Sequence, residues 1–100
     1  MPSSPLNVKE ESIERYLCER VKALGGIAEK VTVIGARGFF DRLIVLPGGR
    51  IVLAECKRPR GGRLSPHQRL RHIAYGQLGA EVAVLCTIAD VDRMLGKEVQ

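Results

Sequence analysis

Two carboxylic acids and a lysine are the residues of this chain best placed to do chemistry. The middle of the sequence is strongly basic and contains only two acids, Asp41 and Glu55. Both lie in runs of largely apolar residues, at 39–46 and 50–57, where a lone carboxylate is costly to bury. The two-residue period of a strand places Glu55 and Lys57 on one face. Such a group could bind a divalent metal ion and stabilise charge on a phosphate.

The turn at 47–49 (PGG) decides whether Asp41 and Glu55 face each other. A two-residue turn would place Asp41 opposite Cys56, on the other face of the strand. A three-residue loop places Asp41 opposite Glu55, and it suits a proline at its first position and a left-handed glycine at its last. Opposed carboxylates with Cβ atoms about 5 Å apart repel each other unless a cation or a proton lies between them. This geometry predicts a site for Mg²⁺ or Mn²⁺, which prefer oxygen ligands.

The same two acids have a second interpretation as ordinary ion pairs. Asp41 and Glu55 could pair with Arg42, Lys57 or Arg58, with no metal between them. The domain would then be a non-catalytic, basic DNA-binding or dimerisation module.

Composition favours a small domain that binds phosphate groups. The chain has 100 residues and a net charge of +5, and arginine supplies 11 of its 16 basic residues. Arginine matches phosphate oxygens with two parallel hydrogen bonds, so nucleic acid is the expected partner. The three cysteines, Cys18, Cys56 and Cys86, are too far apart for a zinc site or a disulfide framework. No apolar run approaches the roughly 20 residues of a membrane span, and residues 1–7 lack the pattern of a secretory signal.

Hydrophobic spacing, glycines and capping residues predict the elements that position these groups. They are a helix over 9–24, strands over 27–34, 39–46, 50–57 and 81–87, a helix from Ser65 to Gly79, and a short helix capped by Thr87 and Asp90. The order α-β-β-β-α-β-α predicts an α/β fold with a mixed four-stranded sheet flanked by helices. We expect a short tail at 1–8 and a single domain at 9–100.

Three stretches of sequence resemble the VRR-NUC family of the PD-(D/E)xK nuclease superfamily. They are GFFD at 38–41, ECK at 55–57 and GGRLSPHQ at 61–68, and the opening helix EESIERYLCERVKALGG is also similar. The likeness runs over residues 9–95, and it implies a restriction-endonuclease-like αβββαβ core. The chain departs from the family at Phe40, where a proline usually precedes the aspartate.

The resemblance also implies the roles of individual residues. The catalytic residues that it implies are Asp41, Glu55, Lys57, Gln68 and a glutamate of the first helix, for which Glu10 fits best and Glu14 is the alternative. One or two Mg²⁺ or Mn²⁺ ions would be held by Asp41, Glu55, the helix glutamate and the carbonyl of Cys56. Lys57 would be the catalytic lysine, and Gln68 would lie beside the site.

An arginine-rich segment follows the two acids and is the expected track for DNA phosphates. Its arginines are Arg58, Arg60, Arg63, Arg69 and Arg71, and Arg37 lies between two glycines upstream. The alternative is a solvated basic loop. Neither His67 nor His72 has a carboxylate placed by the sequence to orient it, so phosphate contact or solvent exposure is the expected role of both.

We therefore expect a Mg²⁺- or Mn²⁺-dependent DNA endonuclease without a small-molecule cofactor. The family likeness points to stand-alone members from phages and bacteria, which are expected to form homodimers and cut branched DNA such as four-way junctions. A two-fold dimer would place two sites for symmetric cutting of two strands. The expected location is the cytoplasm, bacterial or that of the host if a phage encodes the chain, with no membrane partner.

Overall fold

The computed structural model describes residues 9–96, so the predicted tail at 1–8 and the last residues of the predicted domain, 97–100, lie outside it. The elements are α1 (Glu10–Ala23), β1 (Ile27–Lys30), β2 (Arg42–Val45), β3 (Ile51–Cys56), α2 (Pro66–Gln77), β4 (Val82–Leu85) and α3 (Ile88–Gly96). The strands form one sheet in the order β1-β2-β3-β4, in which the β3–β4 pair is parallel and the others are antiparallel. The predicted α/β class, mixed sheet and element order are confirmed.

The β2–β3 hairpin has the register of the three-residue loop. Arg42 pairs with Ala54 and Val45 with Ile51. The N–H of Leu46 donates to the carbonyl of Arg50 across 2.8 Å, which closes the loop at 47–49. Continuing this register by one residue brings Asp41 level with Glu55.

The hydrophobic core lies between the sheet and the helices α1 and α3. Ile13, Leu17 and Val21 recur every four residues along α1, so they form one stripe, and all three are fully buried. They pack in one cluster with buried residues of β2, β3 and α3, among them Ile44, Val52, Ala54, Val91 and Leu95. None of the helices in the described part of the chain is long and apolar enough to cross a membrane.

Both later helices begin with the caps that the sequence predicts. Ser65 and Gln68 form a reciprocal capping box at the start of α2, with Pro66 in its first turn. At α3, the N–H of Asp90 donates to Thr87 Oγ1 across 2.9 Å, and the N–H of Thr87 donates back to Asp90 Oδ2. These local bonds fix where the two helices start.

All four strands are shorter than predicted, and the first two differ most. In the run 27–34 only β1 is a strand, and in the run 39–46 only β2. The last hydrogen bond between the two runs is donated by the N–H of Val31 to the carbonyl of Asp41 across 3.2 Å. Beyond that point the chain leaves the sheet, and Ile34 is 99% exposed. The apolar run that predicted a longer first strand therefore has no partner in the core.

The loop between β1 and β2 lies directly on the first turn of α2. A Cβ atom on Gly38 would lie 2.6 Å from the backbone nitrogen of Gln68, and the residue has a φ of 75°. Only glycine fits both the space and this backbone conformation. The contact aligns Phe39, Phe40 and Asp41 with α2.

Candidate active site

Asp41 and Glu55 come together where β2 begins and β3 ends. Asp41 immediately precedes β2, and its Oδ2 accepts a hydrogen bond of 3.0 Å from the backbone N–H of Cys56. Glu55 has no exposed surface. The pKa of the Glu55 carboxyl is raised to about 8, first by burial and then by the adjacent Asp41 carboxyl, while the charge of Lys57 opposes the rise. The pair, called the diacid below, therefore consists of the fully buried Glu55, which binds a proton readily, and the half-buried Asp41.

Two side chains of α2 approach the Glu55 carboxyl from the other side. Gln68 Nε2 donates to Glu55 Oε1 across 3.0 Å, as the predicted position of Gln68 beside the site requires. His72 Nε2 lies 3.7 Å from Glu55 Oε2. The sequence analysis missed this carboxylate because the contact joins α2 to β3, and neither residue is near the other in sequence. Burial lowers the pKa of the His72 imidazole.

The interpretation of the two acids as ordinary ion pairs finds no support in the described residues. Within 9–96, no lysine or arginine lies within 4.0 Å of a carboxylate oxygen of Asp41 or Glu55. Arg42, one of the proposed partners, instead donates to Glu14 across 2.6 Å. Glu55 Oε2 and His72 Nε2 are buried without a hydrogen-bond partner. A buried oxygen of this kind, facing a second carboxylate, fits a divalent cation.

Lys57 and Glu10 line an open cleft next to this diacid. The cleft has a volume of about 650 Å³, with Glu10 on the helix side and Lys57, Arg58 and Arg63 on the loop side. Glu10 is exposed, and its charge is one of the contributions that raise the pKa of Glu55. The cleft therefore gives solvent, or a charged ligand, access to the lysine beside the buried acids.

Glu14 and Cys56 lie on the core side of Asp41. An oxygen of Glu14, an oxygen of Asp41 and the Cys56 sulfur all lie within 4.8 Å of one another. Cys56 is fully buried, and burial raises the pKa of its thiol to about 12. The sulfur thus stays protonated at neutral pH and faces the core, as strand alternation predicts, and Glu14 is held by Arg42.

Comparisons with known proteins identify the family of this chain. No protein-family model matches the sequence. The chain is 44% identical over 78 residues to "Putative nuclease p44" of Acyrthosiphon pisum secondary endosymbiont phage 1, covering 78% of this chain and 83% of that protein. A solved structure described as "VRR_NUC domain" has a TM-score of 0.79 and 31% identity, covering 89% of this chain and 97% of the other. The chain belongs to the VRR-NUC family. Its fold is accordingly restriction-endonuclease-like.

Ten of the eleven arginines of this VRR-NUC domain fall into two groups. The eleventh, Arg15 on α1, is exposed, and it forms no ion pair among the described residues. Arg20, Arg42, Arg50 and Arg93 each form an ion pair with an acid. The six predicted DNA-binding arginines form no ion pair within the described range 9–96, and all but one of them are exposed. They are Arg37, Arg58, Arg60, Arg63, Arg69 and Arg71. Their charges are thus available to an external anion.

Two of these arginines meet in a second cleft. It has a volume of about 420 Å³, and Arg37, His67 and Arg71 are among its lining residues. Arg71 Nε donates to the carbonyl of Arg37 across 3.4 Å, which joins α2 to the loop before Phe39. The basic surface therefore continues from the lysine cleft, past the start of α2, to this loop.

Proposed function

We propose that this VRR-NUC domain is a Mg²⁺- or Mn²⁺-dependent DNA endonuclease that hydrolyses phosphodiester bonds. The observation that carries the proposal is the fully buried Glu55 beside Asp41, with one carboxylate oxygen that accepts no hydrogen bond and no lysine or arginine partner among the described residues. Two adjacent acids that bind no protein cation are costly unless they bind an external one. Membership of a family whose relatives are named as nucleases supports this reading.

The residues that would hold the ion surround the diacid. Asp41 and Glu55 would supply carboxylate oxygens, the Cys56 backbone a carbonyl, and Glu10 a carboxylate from the cleft wall. Glu14 is the alternative to Glu10, although its ion pair with Arg42 already satisfies its charge. When bound, the divalent ion supplies a Lewis acid that lowers the pKa of water and offsets phosphate charge.

Lys57 and Gln68 would act beside the ion. Lys57 lines the open cleft two residues after Glu55, so its ammonium group can approach a phosphate and stabilise charge that develops on the phosphorus oxygens. Gln68 donates to Glu55 Oε1, whereas Oε2 accepts no hydrogen bond from the described residues. The six predicted DNA-binding arginines would bind flanking phosphates and align the scissile bond.

We further propose that the substrate is branched DNA and that the active species is a homodimer. In support, apolar side chains are exposed on the face of the sheet that carries Glu55 and on α2, including Ile51 and Ile73. Exposed apolar residues beside an active site favour association. A two-fold dimer would direct two identical sites at two strands of a four-way junction.

Cleavage of a four-way junction with Mg²⁺ or Mn²⁺, compared with linear duplex and single-stranded DNA, tests the chemistry. The variants are Asp41→Ala and Lys57→Ala, and Asp92→Asn is the matched control because that acid lies on α3 and pairs with Arg20. We expect metal-dependent cleavage by the wild type and the control, and none by the two site variants. Binding without cleavage in either metal would leave a DNA-binding module and refute the enzyme.

Light scattering of the purified protein, with and without junction DNA, tests the dimer. We expect twice the monomer mass of 11.0 kDa in the free protein. A monomer that nicks one strand at a time would contradict the dimeric, junction-cutting part of the proposal while leaving the nuclease chemistry intact.

A further inference from the structure

We propose that His72 is a positioning residue that, together with Gln68, clamps the Glu55 carboxylate in the orientation that binds the metal ion. The inference deepens the proposed function and rests on its metal site. Sequence analysis assigns His72 to solvent or to a phosphate, whereas the structure buries it to 9% exposure against the diacid.

The spacing of the two residues along α2 makes the clamp possible. Gln68 and His72 are four residues apart, so they project from the same face of the helix, one turn above the other. The two side chains meet the two oxygens of one carboxylate: Gln68 Nε2 lies 3.0 Å from Oε1, and His72 Nε2 lies 3.7 Å from Oε2. A carboxylate with a neighbour at each oxygen is restricted in its rotation about the last bond of the side chain.

The His72 contact is the incomplete half of this clamp. His72 Nε2 and Glu55 Oε2 are both buried, and neither has another hydrogen-bond partner among the described residues. The two atoms need to approach by about 0.8 Å to form an ordinary N–H···O hydrogen bond. A small shift of the Glu55 carboxylate toward the imidazole ring would therefore complete the contact.

An aromatic cluster fixes the imidazole ring in place. The ring centroid of His72 lies 4.5 Å from that of Phe40, which is itself buried and packs edge-on against Tyr75 at 5.4 Å. Because Phe40 directly precedes Asp41 in the chain, the ring that holds His72 is joined to the second acid. The imidazole ring thus packs against the residue that precedes Asp41, while its Nε2 lies close to Glu55.

Outer residues that orient metal ligands affect metal affinity directly. Their replacement typically weakens binding by about 10- to 100-fold. The test is therefore Mn²⁺ binding to the 100-residue chain, measured by isothermal titration calorimetry in the absence of DNA. The variants are His72→Phe, which keeps a ring against Phe40 but removes the donor, and His72→Met, a flexible replacement in case the first does not fold. His72→Gln places an amide donor near the position of Nε2.

We expect Mn²⁺ affinity to fall about 10-fold or more in the Phe and Met variants and to recover in the Gln variant. His67→Gln, at an exposed histidine of the first turn, should bind Mn²⁺ like the wild type. Thermal unfolding identifies the variants that are folded. Equal affinity in folded Phe or Met variants, or no recovery with Gln, would overturn the clamp.

Two outcomes separate this inference from the proposal on which it rests. If the wild type binds no Mn²⁺ at all, the proposed metal site fails and the clamp fails with it. If the wild type binds Mn²⁺ and pulsed EPR detects a directly coordinated ring nitrogen that is lost in His72→Gln, His72 is a ligand and the positioning role is wrong. The absence of that nitrogen signal, with weaker binding in His72→Phe, supports the clamp.

Discussion

The two faces of the sheet bury different types of residue. On the side of α1 and α3, the buried residues are almost all apolar, and the nearby arginines are paired with acids. On the side of α2, the helix buries only His72 among its own residues, against the carboxylate of Glu55. The first side supplies hydrophobic free energy, whereas the second side keeps polar groups incompletely satisfied.

This contrast shows where a domain of this size can accommodate buried polar atoms that lack a hydrogen-bond partner. Buried, unpaired polar atoms destabilise a fold unless a ligand satisfies them. This domain places such atoms at one end of the sheet and holds the rest together with a separate apolar core. Substitutions on the two sides should therefore have opposite effects on stability and on activity.

Glu55→Gln should give the largest effect, a loss of detectable metal-dependent cleavage with the fold intact. The amide keeps the shape of the side chain, but it removes the negative charge that binds the cation. Activity assays and circular dichroism on the same preparation measure both properties. A variant that still cleaves the junction would show that Glu55 is not a ligand, and the contrast between the two sides would disappear.

The same substitution should change how stability depends on pH in the absence of metal. The pKa of Glu55 is raised to about 8 in the folded protein, above the ordinary value of 4.5. Its stabilising contribution is thus complete below about pH 4.5 and is lost as the pH rises toward 8. The stability of Glu55→Gln minus that of the wild type should therefore be larger at pH 8 than at pH 5.

Urea unfolding with EDTA at these two pH values measures the difference, and His72 is common to both proteins. An unchanged difference between variant and wild type would mean that Glu55 titrates normally. Added Mn²⁺ should act in the opposite direction, because it binds the ionised carboxylate and its affinity rises with pH.

Leu17→Ala tests the apolar side and should lower the free energy of unfolding by about 2–5 kcal/mol. Leu17 is fully buried in the core, whereas Leu78 at the end of α2 is 87% exposed. Leu78→Ala is therefore the matched control and should change stability by about 0.5 kcal/mol or less. Urea denaturation of both proteins gives the comparison. Similar losses in the two would mean that α2 contributes to the core as much as α1 does.

Removing two of the unpaired arginines should weaken DNA binding without affecting the fold. In Arg58→Ala/Arg60→Ala, the slope of log affinity against log salt should decrease by about 1.8, since each phosphate contact contributes about 0.9. Arg93→Ala is the control because Arg93 pairs with Asp90 on α3. Fluorescence anisotropy over a salt series measures the slopes. A decrease of about 0.9 in this single-charge control, half that of the double variant, would show that the effect reflects net charge.

Ser65→Ala should have the smallest effect, a loss of about 1 kcal/mol from the N-cap of α2. Ser65 Oγ accepts a hydrogen bond of 3.1 Å from the backbone of Gln68. Ser12→Ala, at an exposed serine within α1, is the control and should leave stability unchanged or slightly raised. Thermal unfolding of the pair measures the difference. A similar loss of stability in Ser12→Ala would show that the effect of Ser65→Ala does not come from the N-cap.

Local signals in the sequence predicted most of the fold. The four-residue stripe of α1, the capping residues of α2 and α3, and the proline and glycines at 47–49 act through nearby atoms, and the structure agrees with each. The proline and glycines at 47–49 predict the strand register that aligns Asp41 with Glu55. Burial of a run such as 27–34 depends instead on what covers it, so its strand was predicted too long.

Contacts between elements distant in sequence could not be predicted in this way. The approach of His72 to Glu55 depends on how α2 lies across the parallel pair β3–β4, and the pairing of Glu14 with Arg42 depends on the rotation of α1. Each contact is set by packing rather than by spacing. The family likeness named Gln68 because it belongs to a motif, but no signal within the chain distinguished His72 from His67.

Gln68 links the closing of the first turn of α2 to the position of the Glu55 carboxylate. Its Oε1 accepts from the backbone N–H of Ser65 at 2.8 Å, and its Nε2 donates to Glu55 at 3.0 Å. Because a backbone N–H can only donate, closing the first turn of α2 turns the amide so that its nitrogen faces the acid. Fraying of that single turn would release Glu55 while the sheet stays folded. Heat should therefore inactivate the domain at a lower temperature than it melts the core, and the interval between the two temperatures reports the strength of one helical turn.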